Sequence, residues 1–126
     1  MVDSLTACQV QAAYLAPFAA GLLLTPNVFF KGGFAQYWET SLPEDSVLAW
    51  FVGGFGSCLT GLAVMNGMAD EKTVELCGTV NLVTNALSSF MFYKALNCGD
   101  ATQAMWQIQN VIGTIILGMS AYVYFN

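Results

Sequence analysis

Residues 70–126 read DEKTVELCGTVNLVTNALSSFMFYKALNCGDATQAMWQIQNVIGTIILGMSAYVYFN, and this stretch decides the fold. Two long apolar segments, about 71–97 and 101–125, are separated by Cys98-Gly99-Asp100. Gly99 is a natural helix stop and Asp100 a natural N-cap. So short a turn makes the two segments antiparallel neighbours. Asp70 can cap the first segment, and Lys94 suits its negative dipole end.

Each segment carries a column of uncharged polar residues. The first has Asn81, Asn85, Ser88 and Ser89; the second has Gln103, Gln107, Asn110 and Thr114. Steps of three and four put each column on one helical face. Counted from the turn at ~1.5 Å per residue, Asn85 falls near the depth of Asn110, Asn81 near Thr114 and Ser89 near Gln107. The expectation is an interhelical ladder with Asn85 facing Asn110, because an amide turned to hydrocarbon has no partner. A sharper reading has Asn81, Asn85, Gln107 and Asn110 bind a cofactor, one amide oxygen holding, for instance, the magnesium of a chlorophyll. Magnesium favours oxygen ligands and the chain has no histidine. Chlorophyll, carotenoid and lipid are the cofactors such a column admits. A third reading is a transport path.

The rest of the chain repeats the pattern of apolar runs. Residues 5–24 match the ~20 residues a span needs. Ala12, Ala16 and Ala20 form a small-residue stripe there, and Pro17 predicts a kink. Residues 45–68 follow Pro43-Glu44-Asp45-Ser46, which reads as a helix start. Gly53, Ser57 and Gly61 form a small-xxx-small face, the signature of close helix packing in lipid. Between these runs lie Phe29, Phe30, Phe34, Tyr37 and Trp38 with few charges, a composition suited to the headgroup layer. This aromatic segment reads as a short interfacial helix or re-entrant loop. Phe30, Phe34 and Trp38, with Gly53, Ser57 and Gly61, are the expected partner-packing residues.

The totals support a bilayer. Hydrophobic residues make up 56% of 126 and charged residues 9%, against about 25% charged in ordinary soluble domains. Mean hydropathy is +0.60. The acids (Asp3, Glu39, Glu44, Asp45, Asp70, Glu71, Glu75 and Asp100) avoid the middle of every apolar run, where a charge is costly. The expected fold is an all-α integral membrane domain over 1–126, with four transmembrane helices at about 5–24, 45–68, 71–97 and 101–125. Lys31 and Lys94 fall on one side and Lys72 on the other, a weak vote that puts the termini on the non-cytoplasmic side.

Three lysines and no arginine or histidine give no nucleic-acid surface. Cys8, Cys58, Cys77 and Cys98 lack metal-ligand spacing. They read as small apolar residues, with Cys8 and Cys77 the one pair that could be bridged. There is no intramembrane acid for ion coupling, no histidine for haem and no hydrolytic constellation. The N-terminus lacks the cationic region of a secretory signal and the arginines of a transit peptide. The expectation is therefore a non-enzymatic accessory subunit of a larger complex, photosynthetic or respiratory, in a thylakoid or mitochondrial inner membrane. Its partners would be other membrane subunits and lipid. The alternative is a small homo-oligomeric carrier or channel for a neutral solute, using the Asn/Gln column.

Overall fold

A computed structural model describes residues 2–30, 35–40 and 47–126. The described chain is all-helical: α1 (Ser4–Leu24), the short α2 (Asn27–Phe30), α3 (Val47–Gly67), α4 (Val74–Ala95) and α5 (Gln103–Phe125). Among the described residues three helices, α1, α3 and α5, are long and apolar enough to span a bilayer. The chain is thus an integral membrane protein. Four long helices stand where the four apolar runs predict them, within a few residues. Phe34 and the start signal at 43–46 lie outside the described residues.

Local chemistry sets the ends. The Asp3 carboxylate caps α1 by accepting from the Thr6 amide at 2.7 Å. Asp70 stands one turn earlier than the simple cap expected of it. Its carboxylate accepts from the amides of Lys72 and Thr73, each at 3.0 Å, and from the Thr73 hydroxyl at 2.8 Å, and α4 starts after that turn. α1 runs unbroken through Pro17.

Packing is uneven. α1 is the centre, in contact with every other helix. α3 packs extensively on α1 and α5 on α4, whereas α3 and α4 scarcely touch directly. The α1–α3 contact is antiparallel and close at Gly56, where a Cβ would meet Leu22 Cβ at 3.1 Å and the Leu23 backbone nitrogen at 3.2 Å. A short antiparallel bridge, Trp38 to Ala101, ties the aromatic segment to the α4–α5 turn. It is flanked by Glu39 N–H to Asp100 O at 2.8 Å and Thr102 N–H to Tyr37 O at 2.8 Å.

Candidate functional site

The interior is built from polar layers between apolar ones. Asn66 and Asn81 exchange amide hydrogen bonds of 2.9 and 2.6 Å, joining α3 to α4. Asn66 Nδ2 also donates to Leu62 O, so its orientation is fixed. Gln11 and Asn85 exchange two bonds of 3.0 Å, joining α1 to α4. Asn85 Nδ2 further donates to Ser120 Oγ at 2.8 Å, and Ser120 donates on to Ile116 O. Nearer the other end, Gln109 donates to the Tyr14 hydroxyl and accepts from the Tyr37 hydroxyl at 3.1 Å. Amides buried away from water hold the bundle together only when paired in this way.

This differs from the expected ladder. Asn81 and Asn85 are buried, but Asn85 meets Gln11 and Ser120 rather than Asn110. α5 turns Trp106, Gln109, Gly113, Ile116 and Ser120 inward. Gln103, Gln107 and Thr114 are exposed on its outer side, and Asn110 is half-buried. Asn81, Asn85, Gln107 and Asn110 therefore do not converge on one point. The physical reason is volume: Gly113 lets α4 approach, since a Cβ there would stand 2.9 Å from the Phe92 ring. Gln11, Tyr14, Asn66, Gln109 and Ser120 are the polar partners missed by the sequence reading. An amide deep inside a largely apolar run, as at Gln11 and Asn66, is the available signal.

The aromatic segment also departs from expectation. Phe29, Phe30 and Tyr37 are buried and Trp38 is half-buried, so they turn into the chain's own core instead of facing a partner. Phe30 stacks on Trp38 with centroids 4.6 Å apart, and Trp38 meets Trp106 edge-on at 5.1 Å. Trp106 Nε1 donates to Tyr37 O at 2.8 Å, which anchors the plug to α5. The plug's rings pack among Leu22, Leu59 and Trp106, where aromatic surface is better buried than exposed.

Between the plug and the Gln11–Asn85 layer lies a cavity of about 220 Å³. Its walls are mainly apolar and aromatic, including Phe18, Phe29, Trp38, Leu59, Phe92 and Trp106. On the α3 edge it is bounded by Phe55 and Cys58, both exposed, so it reaches the surface between α3 and α4. The α4 wall carries three hydroxyls, those of Thr84, Ser88 and Ser89. Other helical hydroxyls donate to the carbonyl four residues back: Ser57 to Gly53, Thr60 to Gly56, Thr79 to Glu75 and Thr114 to Asn110. Among the described residues, Thr84, Ser88 and Ser89 have no such bond, and Ser89 Oγ is fully buried without a partner.

The expected packing face of α3 points outward. A Cβ at Gly53 or at Gly61 would meet nothing within 4 Å, and Ser57 is exposed. Trp50, Phe51, Phe55 and Val64 are exposed on the same helix. Among the described residues no group of three or more His, Cys, Asp or Glu could hold a metal. No protein-family model, curated protein or solved structure matches the chain.

Proposed function

We propose that this chain is an accessory subunit of a larger membrane complex and crosses the bilayer four times, with α4 as the fourth span. α4 is 22 residues long and antiparallel to α5, with Asn81 and Asn85 turned inward, so these two amides do not face lipid. One observation carries the functional reading. Gln107 stands exposed on α5, a turn inside the helix, and among the described residues its amide has no partner. On a spanning helix an amide facing hydrocarbon is costly, so a neighbouring helix that pairs with it is favoured. The outward Gly53–Ser57–Gly61 face of α3 offers a second helix a close approach. An assembly of many apolar subunits, such as a photosynthetic or respiratory complex of an organelle membrane, supplies such neighbours.

The test is a native gel of mild-detergent extracts, read for the wild type and for Gln107→Leu. Co-migration with a complex much larger than 13.5 kDa, reduced by Gln107→Leu, supports the reading. A small homo-oligomer held by the same residue would instead support the carrier.

A further inference from the structure

We propose that the cavity between α3 and α4 binds a lipid-soluble quinone, its ring among the aromatic side chains and its tail leaving past Phe55 and Cys58 to the membrane. The proposal concerns the interior and is independent of what covers the outer faces.

Four features define the ligand. First, size: a cavity of about 150 Å³ takes a benzene ring, and this one is about 220 Å³, room for a substituted ring. Second, the lining: Phe18, Phe29, Trp38, Phe92 and Trp106 present ring faces and edges, which favour a flat π system over a flexible chain. Third, access: the aromatic plug closes one end and the Gln11–Asn85–Ser120 layer the other, so the opening past Phe55 and Cys58 faces the bilayer. A ligand arriving that way is dissolved in lipid. Fourth, polarity: Thr84, Ser88 and Ser89 are hydroxyl donors on one wall that decline the usual bond to their own helix. A carbonyl oxygen is the acceptor they lack. Thr84, Ser88 and Ser89 lie within about one turn of α4, so a ring carbonyl brought against this wall meets a donor. An acyl chain would leave these hydroxyls unpaired, the fully buried Ser89 Oγ among them, and a buried unpaired hydroxyl is costly.

Tryptophan fluorescence tests this, because quinones quench it and Trp38 and Trp106 line the cavity. A Trp50→Phe background removes the exposed third tryptophan. Purified protein in mild detergent is titrated with decylubiquinone. The expected result is saturable quenching. Thr84→Val and Ser88→Ala should each weaken it about fivefold, the factor of one ordinary hydrogen bond. Thr84→Ser should restore it, and Ser57→Ala, on the outer face, should leave it unchanged. Circular dichroism and monodispersity confirm that each variant is folded. Quenching that never saturates, or is equal in every folded variant, means partition into the micelle and overturns the proposal. Equal competition by decylbenzene, which has the tail and ring but no carbonyl, also overturns it and assigns the cavity to a plain hydrocarbon.

Discussion

The carboxamides of Gln11 and Asn85 face each other across the α1–α4 contact and exchange two hydrogen bonds, each 3.0 Å long. Both side chains are buried, Gln11 almost completely. This pair ties the first helix to the α4–α5 hairpin in the middle of the bundle, where no water can replace a lost partner.

Breaking the pair from one side should cost more than its share. Gln11→Leu and Asn85→Leu are each expected to lower stability by about 1–2 kcal/mol, because each strands the other amide. The double variant should cost less than the sum, with a coupling of about 0.6 to 1.7 kcal/mol as in other membrane helices. Asn85→Leu combined with Asn110→Leu should be additive, since those two residues do not meet. Unfolding in mixed detergent measures all of these. Simple additivity for Gln11 and Asn85 would remove the pair from the account.

Asn85 pairs with Gln11 and not with Asn110, a choice that helical periodicity alone leaves open. The helices and the α4–α5 turn follow from long apolar runs, Gly99 and charge segregation, because bilayer thickness and backbone pairing leave few other choices. The α4 column at Asn81 and Asn85 was legible too. The facing side of α5 was not. It carries polar residues on two faces, at 103, 107, 110 and 114 and at 109 and 120. Periodicity marks both columns but does not rank them. What ranks them is the room that Gly113 makes for Phe92, a property of two helices together. The same holds for Phe30 and Trp38. An aromatic run suits an interface and a plug equally well until the hole it fills is known.

The cysteines should separate by environment. Cys98 is exposed in the α4–α5 turn, while Cys58 is exposed on a spanning helix. Cys8 and Cys77 are buried and near each other, and the Cys77 thiol donates to Met65 O at 3.9 Å. The thiolate is the reactive form and hydrocarbon disfavours it. N-ethylmaleimide on intact membranes should therefore modify Cys98 first, Cys58 slowly, and Cys8 and Cys77 only after denaturation. Mass spectrometry of the peptides gives the order. A disulfide-forming catalyst should join Cys8 to Cys77, and failure to do so would contradict their adjacency.

Acid should loosen one end of the molecule. Hydrogen bonds from Thr6 hold the Asp3 carboxyl below its ordinary value of 3.8, and those from Thr73 do the same for Asp70. A carboxyl whose pKa falls on folding stabilises the fold fully above the unfolded value, and that contribution is lost as pH drops through the folded one. The two residues cap α1 and the turn before α4, which lie side by side. The Thr6 and Thr73 amide resonances should therefore move together only below the ordinary carboxylate range, and Asp70→Asn should remove the Thr73 response. A response centred near neutral pH would exclude these caps.

The glycines of α3 give the sharpest contrast between internal and external packing. A Cβ at Gly56 would press on Leu22 Cβ and Leu23 Cγ at 3.1 Å and on the Leu23 backbone nitrogen at 3.2 Å. The backbone cannot move aside as a side-chain tip can, so Gly56→Leu must push α1 and α3 apart. Among the described residues their contact, with the Asn66–Asn81 pair, is most of what holds α3 in place. That variant should lose about 1–3 kcal/mol or more, the usual cost of overpacking. Gly53 and Gly61 have open space where their Cβ would stand. Leucine there should leave the isolated chain as stable as before, because leucine is at home in lipid. Thermal melts of the purified chain therefore separate Gly56→Leu from the other two. Native gels of membrane extracts then isolate the outer face: Gly53→Leu and Gly61→Leu should reduce co-migration with a larger complex while the purified chain melts as the wild type does. Full co-migration of both variants would show that no partner helix approaches α3 along Gly53, Ser57 and Gly61.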